Sequence, residues 1–280
     1  MPVKNYARRV MLVALCLALT SLSVTSSAQT YRQQGIYPVF DGWEDLPDGS
    51  KLFYFGYMNR HTTQVTIPLG PDNNFEQSPA DRLQPTNFLP GRNEHVFTVK
   101  VPKDFSGKLV WNLKTAVGAQ KATASLDQLY ILEIEEPEPG TPHLPKPQIN
   151  APAASVKLAN ALALVPQVKA EIPKREAVIE GSGARSAGVA VSWNKHRGPG
   201  DVTFSAPAGA PVVRAAAGGR GRPEAPPTPG VFTGQCAAPI DARCGAAMAR
   251  FSEPGDYVLR AVAHQGREQG DVLVHVTVTP

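Results

Sequence analysis

The chain has 280 residues, with 28 Lys plus Arg against 24 Asp plus Glu. Three cysteines are too few for a small disulfide-built scaffold, and the length suits two domains of ordinary size. The basic excess is concentrated at the N-terminus, so no electrostatic nucleic-acid partner is expected.

Residues 1–28 have the three parts of an export signal. Lys4, Arg8 and Arg9 are followed by ten unbroken apolar residues, 10–19, and then by Ser26-Ser27-Ala28. Cleavage is expected between Ala28 and Gln29, where small side chains suit a signal peptidase. A membrane-spanning helix needs about 20 apolar residues, so no membrane span is expected in the mature chain. Cys16 follows Leu15 rather than a small residue, which argues against lipidation, while Arg8-Arg9 leaves twin-arginine export open. Removing 28 of 280 residues leaves 252, with 25 basic residues against 24 acidic. A secreted or periplasmic protein is expected.

Residues 29–136 predict an antiparallel β-sandwich domain. Candidate strands are 36–40, stopped by Asp41-Gly42; 51–59, after the turn at Pro47-Asp48-Gly49-Ser50; 63–67; 94–101; 108–114; 119–126; and 130–134. Residues 68–93 predict one long loop, and a loop of that length is functional or disordered. Six prolines fall between Pro137 and Pro152. Residues 137–154 therefore predict a semi-rigid polyproline II linker.

Residues 155–280 predict a second sandwich. Residues 156–168 suit a short helix or strands, with Pro166 interrupting. Strands are expected at 176–180, 189–193, 201–205, 247–251, 257–264 and 272–279, with a turn at Gly198-Pro199-Gly200 leading into 201–205. Residues 206–246, rich in Ala, Gly and Pro, predict a disordered insertion. Cys236 and Cys244 are the two cysteines left after cleavage, and in an oxidising compartment they are expected to pair.

Glu253-Pro254-Gly255-Asp256-Tyr257-Val258-Leu259-Arg260-Ala261 resembles the late strands of immunoglobulin-like and PKD-like domains, and Val191-Ser192-Trp193 resembles their strand with a buried Trp. The resemblance implies a sandwich whose corner is closed by Tyr257. The PKD signature itself is absent. The chain as a whole resembles uncharacterised secreted bacterial proteins through Gly35-Ile36-Tyr37-Pro38-Val39-Phe40-Asp41-Gly42-Trp43, Phe55-Gly56-Tyr57-Met58-Asn59-Arg60 and Phe88-Leu89-Pro90-Gly91-Arg92. That resemblance implies architecture and location, with no activity.

Candidate chemistry is sparse. Asp72, Asn74 and Glu76 alternate like calcium ligands, but an EF-hand would then want Gly and Glu where Gln77 and Leu83 stand. The six histidines, His61, His95, His143, His196, His264 and His275, are scattered, and no Gly-x-Ser-x-Gly elbow occurs. No catalytic, metal or cofactor set is expected. Trp43 is the candidate ligand platform, able to stack on a sugar if exposed; the competing expectation folds it over the sheet end. Phe53, Tyr54, Phe55 and Tyr57 read as core, and Asp81, Arg82 and Arg92 as ties for the long loop. The expected fold is all-β, with two sandwiches joined by a Pro-rich linker. The expected function is a non-enzymatic binding or structural module for a protein or glycan. The alternatives are a carbohydrate-binding module and an extracytoplasmic hydrolase with a dispersed site.

Overall fold

A computed structural model describes residues 34–132, 145–171, 188–208, 230–236, 240–241, 243–266 and 268–280. The described residues are all-β, with one short 3-10 turn and no α-helix. Gly35–Pro280 is one compact unit containing two hydrophobic cores.

The first core starts with a hairpin of β1 (Ile36–Asp45) and β2 (Lys51–Asn59). Gly49 takes a positive φ in the turn, and the Asp48 carboxylate accepts the Ser50 amide. Asp41-Gly42, expected to stop the first strand, is instead a bulge, with the register shifting between Phe40 and Gly42. The Asp41 carboxylate accepts the His95 amide at 2.7 Å and pairs with Arg92. The extra residue is thereby anchored, and the strand runs on.

The segment expected to be a long loop is mostly irregular but contains short paired pieces. β3 (Val65–Thr66) pairs with β5 (Asn87–Phe88), and β4 (Asn73–Phe75) pairs with β7 (Leu109–Thr115). β6 (Gly91–Val101) begins before the loop was expected to end. Side-chain amides supply the order. Buried Asn73 donates to the carbonyls of Ile67 and Pro85 and accepts from Trp111 Nε1, while Gln77 accepts the Val110 amide. Each bond meets a backbone carbonyl, a backbone amide or the ring N–H that burial would otherwise leave unpaired.

Two three-stranded sheets, β1-β2-β6 and β4-β7-β8 (β8, Gly118–Ala124), enclose this core. Trp111 lies in its middle, with ring centroids of Phe55, Phe75, Phe88 and Phe97 between 5.0 and 6.4 Å away. Such pairs contribute roughly 0.5–1.5 kcal/mol each beyond area burial. The strand expected at 130–134 does not form within the described residues. Asp127 caps a 3-10 turn at Gln128–Tyr130, and Ile131 makes a single bridge to Trp43.

The second core is made by two sheets and a small pair. β9 (Gln148–Asn150) pairs with β12 (Gln167–Lys169), so residues 148–150, expected in the linker, are a strand. Ile149 packs on the second core, which explains the departure. β10 (Ala154–Lys157) and β11 (Leu162–Leu164) resolve the ambiguity at 156–168 in favour of strands, with Pro166 between β11 and β12. β13 (Val189–Arg197) runs four residues past its expected end at Trp193, and β14 (Val202–Ser205) follows the Gly-Pro-Gly turn. β15 (Val231–Gln235) lies inside the expected disordered insertion. Its Val, Phe and Thr suit a strand, unlike the surrounding Ala, Gly and Pro.

β16 (Ala247–Phe251), β17 (Gly255–Gln265) and β18 (Glu268–Thr279) complete the set. The sheets are β10-β18-β17-β13-β15 and β11-β16-β14, with β10 parallel to β18. Trp193 is fully buried and donates to the Gly245 carbonyl at 2.7 Å. The Tyr257 hydroxyl accepts the Gly200 amide and donates to the Glu253 carbonyl, closing that corner. Cys236 and Cys244 are bonded. The strand expected at 176–180, the stretch 133–144 and residues 209–229 of the insertion lie outside the described residues.

Candidate functional site

Trp43 is 4% exposed near the end of β1. Its indole N–H donates to the Asp127 carbonyl at 2.9 Å, its own carbonyl accepts the Leu132 amide, and Lys51 Nζ lies 5.7 Å from the ring centroid. The ligand-platform expectation is therefore corrected. Residues 127–132 fold back against Trp43, and a buried ring offers no face for stacking on a sugar.

The calcium-like triplet does not converge. Asp72 lies 3.9 Å from Lys114, Glu76 pairs with Lys121 at 2.6 Å, and the Asn74 amide donates to the carbonyls of Gly70 and Pro71. Among the described residues, no group of three or more His, Cys, Asp or Glu is placed to hold a metal. An open hollow of about 310 Å³ lies on the same segment, lined by Leu69, Pro71, Ala80 and Asp81 among others. The buried amides beside it, Asn73 and Gln84, are engaged with the Ile67, Pro85 and Ala80 backbone.

Among the described residues, one serine and one histidine side chain meet. Ser192 Oγ and His264 Nε2 are 3.0 Å apart across β13 and β17. Desolvation, reinforced by Arg260, holds His264 below its ordinary value, and the tautomer of the ring sets which of the two groups donates. No carboxylate hydrogen-bonds to that ring among the described residues.

A polar cluster lies between the two cores. Arg197 grips Asp81 through both guanidinium Nη atoms, at 3.1 and 2.7 Å, and donates through Nε to the Gln84 carbonyl at 2.7 Å. His196, 1% exposed, donates through Nε2 to the Leu83 carbonyl at 2.7 Å. A carbonyl only accepts, which fixes the proton on Nε2. Burial holds His196 down to about 3, with Arg260 and Arg197 adding to the effect and Leu83 and Asp81 opposing it. Arg260, 7% exposed, donates to the His95 carbonyl at 2.6 Å and pairs with Asp271 at 2.9 Å. The neighbouring Lys195 ammonium turns the other way, to the Gly200 carbonyl at 2.7 Å, and burial lowers it below an ordinary lysine.

Of the residues expected to tie down the long loop, Arg82 donates to the Ser78 carbonyl and Arg92 pairs with Asp41. Asp81 instead crosses to the second core. His95 does more than fill a strand position, because its carbonyl receives Arg260. Sequence reasoning did not single out His196 or Arg197. Their signal was a polar continuation of the alternating run at 189–193.

No family model matches the chain, and no curated protein matches it. Solved structures similar to it include the titin domains z1z2 in complex with telethonin, 10% identical, covering 86% of this chain and 96% of that one, at a TM-score of 0.25. The D0-D1 domain of intimin is 11% identical, covering 86% and 97%, at a TM-score of 0.24. Domains 4 and 5 of the S-layer protein SbsC are 11% identical, covering 88% and 98%, at a TM-score of 0.23. At these scores the likenesses carry no argument about this chain.

Proposed function

We propose that the chain is an exported protein, cleaved between Ala28 and Gln29, that acts as a non-enzymatic binding or structural module. Its domains are 29–136 and 155–280, joined by 137–154. The observation that carries this reading is the use made of the buried titratable groups. His196, Arg197 and Arg260, which a catalytic site would aim at a substrate, are aimed at the other core of the same chain. The Cys236–Cys244 bond supports an oxidising compartment, secreted or periplasmic. A protein partner is favoured over a glycan, since Trp43 is not open for stacking.

Export is tested by expressing the full chain with its signal and sequencing the N-terminus of the extracytoplasmic product. Sequence beginning at Gln29 is expected; a cytoplasmic, uncleaved chain would refute the reading. A dispersed hydrolase is the second reading, favoured by the Ser192–His264 pair. Turnover of short-chain ester or amide substrates that disappears in Ser192→Ala would establish it and remove the non-enzymatic one.

A further inference from the structure

His196 and Arg197 are adjacent in sequence yet both reach the first core. Strand alternation sends neighbours to opposite faces. The register of β13 against β17 shifts between Lys195 and Arg197, so His196 and Arg197 together stand opposite Val258. This bulge turns Arg197 out of the inner row of Val191, Trp193 and Lys195 and places it beside His196. The backbone then follows the side chains. The Thr86 amide donates to the His196 carbonyl at 3.0 Å, and Asn87 donates to the Lys195 carbonyl at 3.0 Å.

The receiving carbonyls are unusual. Leu83 has φ 66 and His95 has φ 48, and these are the two non-glycine residues with positive φ among the described residues. Each offers its carbonyl to a buried cation-capable side chain of the second core: Leu83 to His196, His95 to Arg260. A left-handed conformation costs an L-residue about 1–2 kcal/mol, and it persists where surrounding contacts over-determine it. Burial does not explain Leu83, whose side chain is 49% exposed. Its amide donates to Asp81 Oδ1 at 2.9 Å, and the Asp81 carboxylate is itself gripped by Arg197. Leu83 is thus held by a local bond to Asp81, which the second core grips, whereas the His95 amide is fixed within the first core by Asp41 Oδ2 at 2.7 Å and only its carbonyl meets the second core.

We infer that residues 81–95 form a clasp, in which the carbonyls of the left-handed residues Leu83 and His95 are held by His196 and Arg260 and the Asp81 carboxylate by Arg197, so that the two cores keep one angle and unfold together. The clasp stands whether or not the chain proves to be non-enzymatic, because it concerns the joint and not a ligand.

The test uses the mature chain in a urea titration with hydrogen exchange read separately at β7 and at β17, together with small-angle scattering. The wild type should show coincident midpoints and a narrow distance distribution. Replacing both Arg197 and Arg260 by Ala should separate the midpoints, broaden the distribution, and speed exchange at β17 by about tenfold or more. Leu83→Gly, which keeps the carbonyl and relieves the strain, should leave the midpoints coincident and raise them. Separate midpoints in the wild type would overturn the clasp. So would a folded double variant with coincident midpoints and unchanged scattering. Should the double variant not fold, Asp81→Asn, at a half-exposed carboxylate, decides on the same readouts: partial separation supports the clasp, and unchanged behaviour overturns it.

Discussion

Acid should weaken this protein well before its carboxylates titrate, and His196 is the reason. An unfolded histidine titrates near 6.5, while burial holds His196 to about 3 in the folded chain. The folded state therefore binds fewer protons than the unfolded state as the pH drops below 6.5. Its stabilising contribution is complete above that value and is lost progressively as the pH falls toward 3. One pH unit inside the window is worth about 1.4 kcal/mol. Going from pH 6.5 to 4.5 should remove about 3 kcal/mol, a large share of a typical 5–15 kcal/mol. Asp81 acts in the same direction but later. Arg197 holds its carboxyl below the usual range, so its contribution is lost only as the pH falls below about 4. His264 is also held low by burial, and it is common to both proteins in the comparison that follows. Urea midpoints of the wild type and of His196→Gln, measured from pH 7.5 to 4.5, separate the terms. The glutamine amide keeps a donor for the Leu83 carbonyl but cannot titrate, so the slope should flatten by close to one proton. Equal slopes in the two proteins would refute the assignment.

Other substitutions test the two cores. Trp43→Ala should cost about 3–5 kcal/mol of stability, as large aromatic deletions in cores do. Denaturant unfolding would show it, and a surface platform would instead show almost no change. Reducing the Cys236–Cys244 bond, or replacing both residues by Ser, should cost about 2–3 kcal/mol for so short a loop, read as a midpoint shift between oxidised and reduced protein. Tyr257→Phe leaves the Gly200 amide and the Glu253 carbonyl without the hydroxyl; a loss of about 1–3 kcal/mol is expected by thermal unfolding. Gly245→Ala should destabilise by more than an ordinary surface change, because φ is +71 there and a Cβ would collide with Val191.

The strands that face a core on one side were legible in the sequence. Residues 51–59 coincide with β2, and the alternation of Val189, Val191 and Trp193 marks the inner row of β13. Alternation failed where the partner of a strand is polar. Residues 194–197 continue β13, but their outer neighbours are carbonyls and a carboxylate, which leave no apolar period to read. The short pairings within the loop 68–93 were not legible for a related reason. Their order comes from Asn73, Gln77 and Asn87 bonding distant backbone groups, and such bonds have no local spacing. For Trp43 the folding-back over the sheet end was the favoured expectation, but the carbonyl that receives its N–H lies 84 residues away and was not legible.

The chemistry of the joint between the cores also bears on what it can do. Apolar surfaces in contact tolerate sliding, because the gain follows area and not direction. The bonds here are directional: a forked Arg197–Asp81 pair, imidazole to carbonyl, and guanidinium to carbonyl. Charge-assisted and bidentate bonds weaken steeply when the geometry shifts, so they specify an angle more than they supply adhesion. Arg260, held by Asp271 on one side and by the His95 carbonyl on the other, cannot follow a rotation of the first core without losing one of them. A joint of this kind needs only that the connecting segment keep the two cores near each other. Residues 81–95 and the bulge in β13 then set orientation.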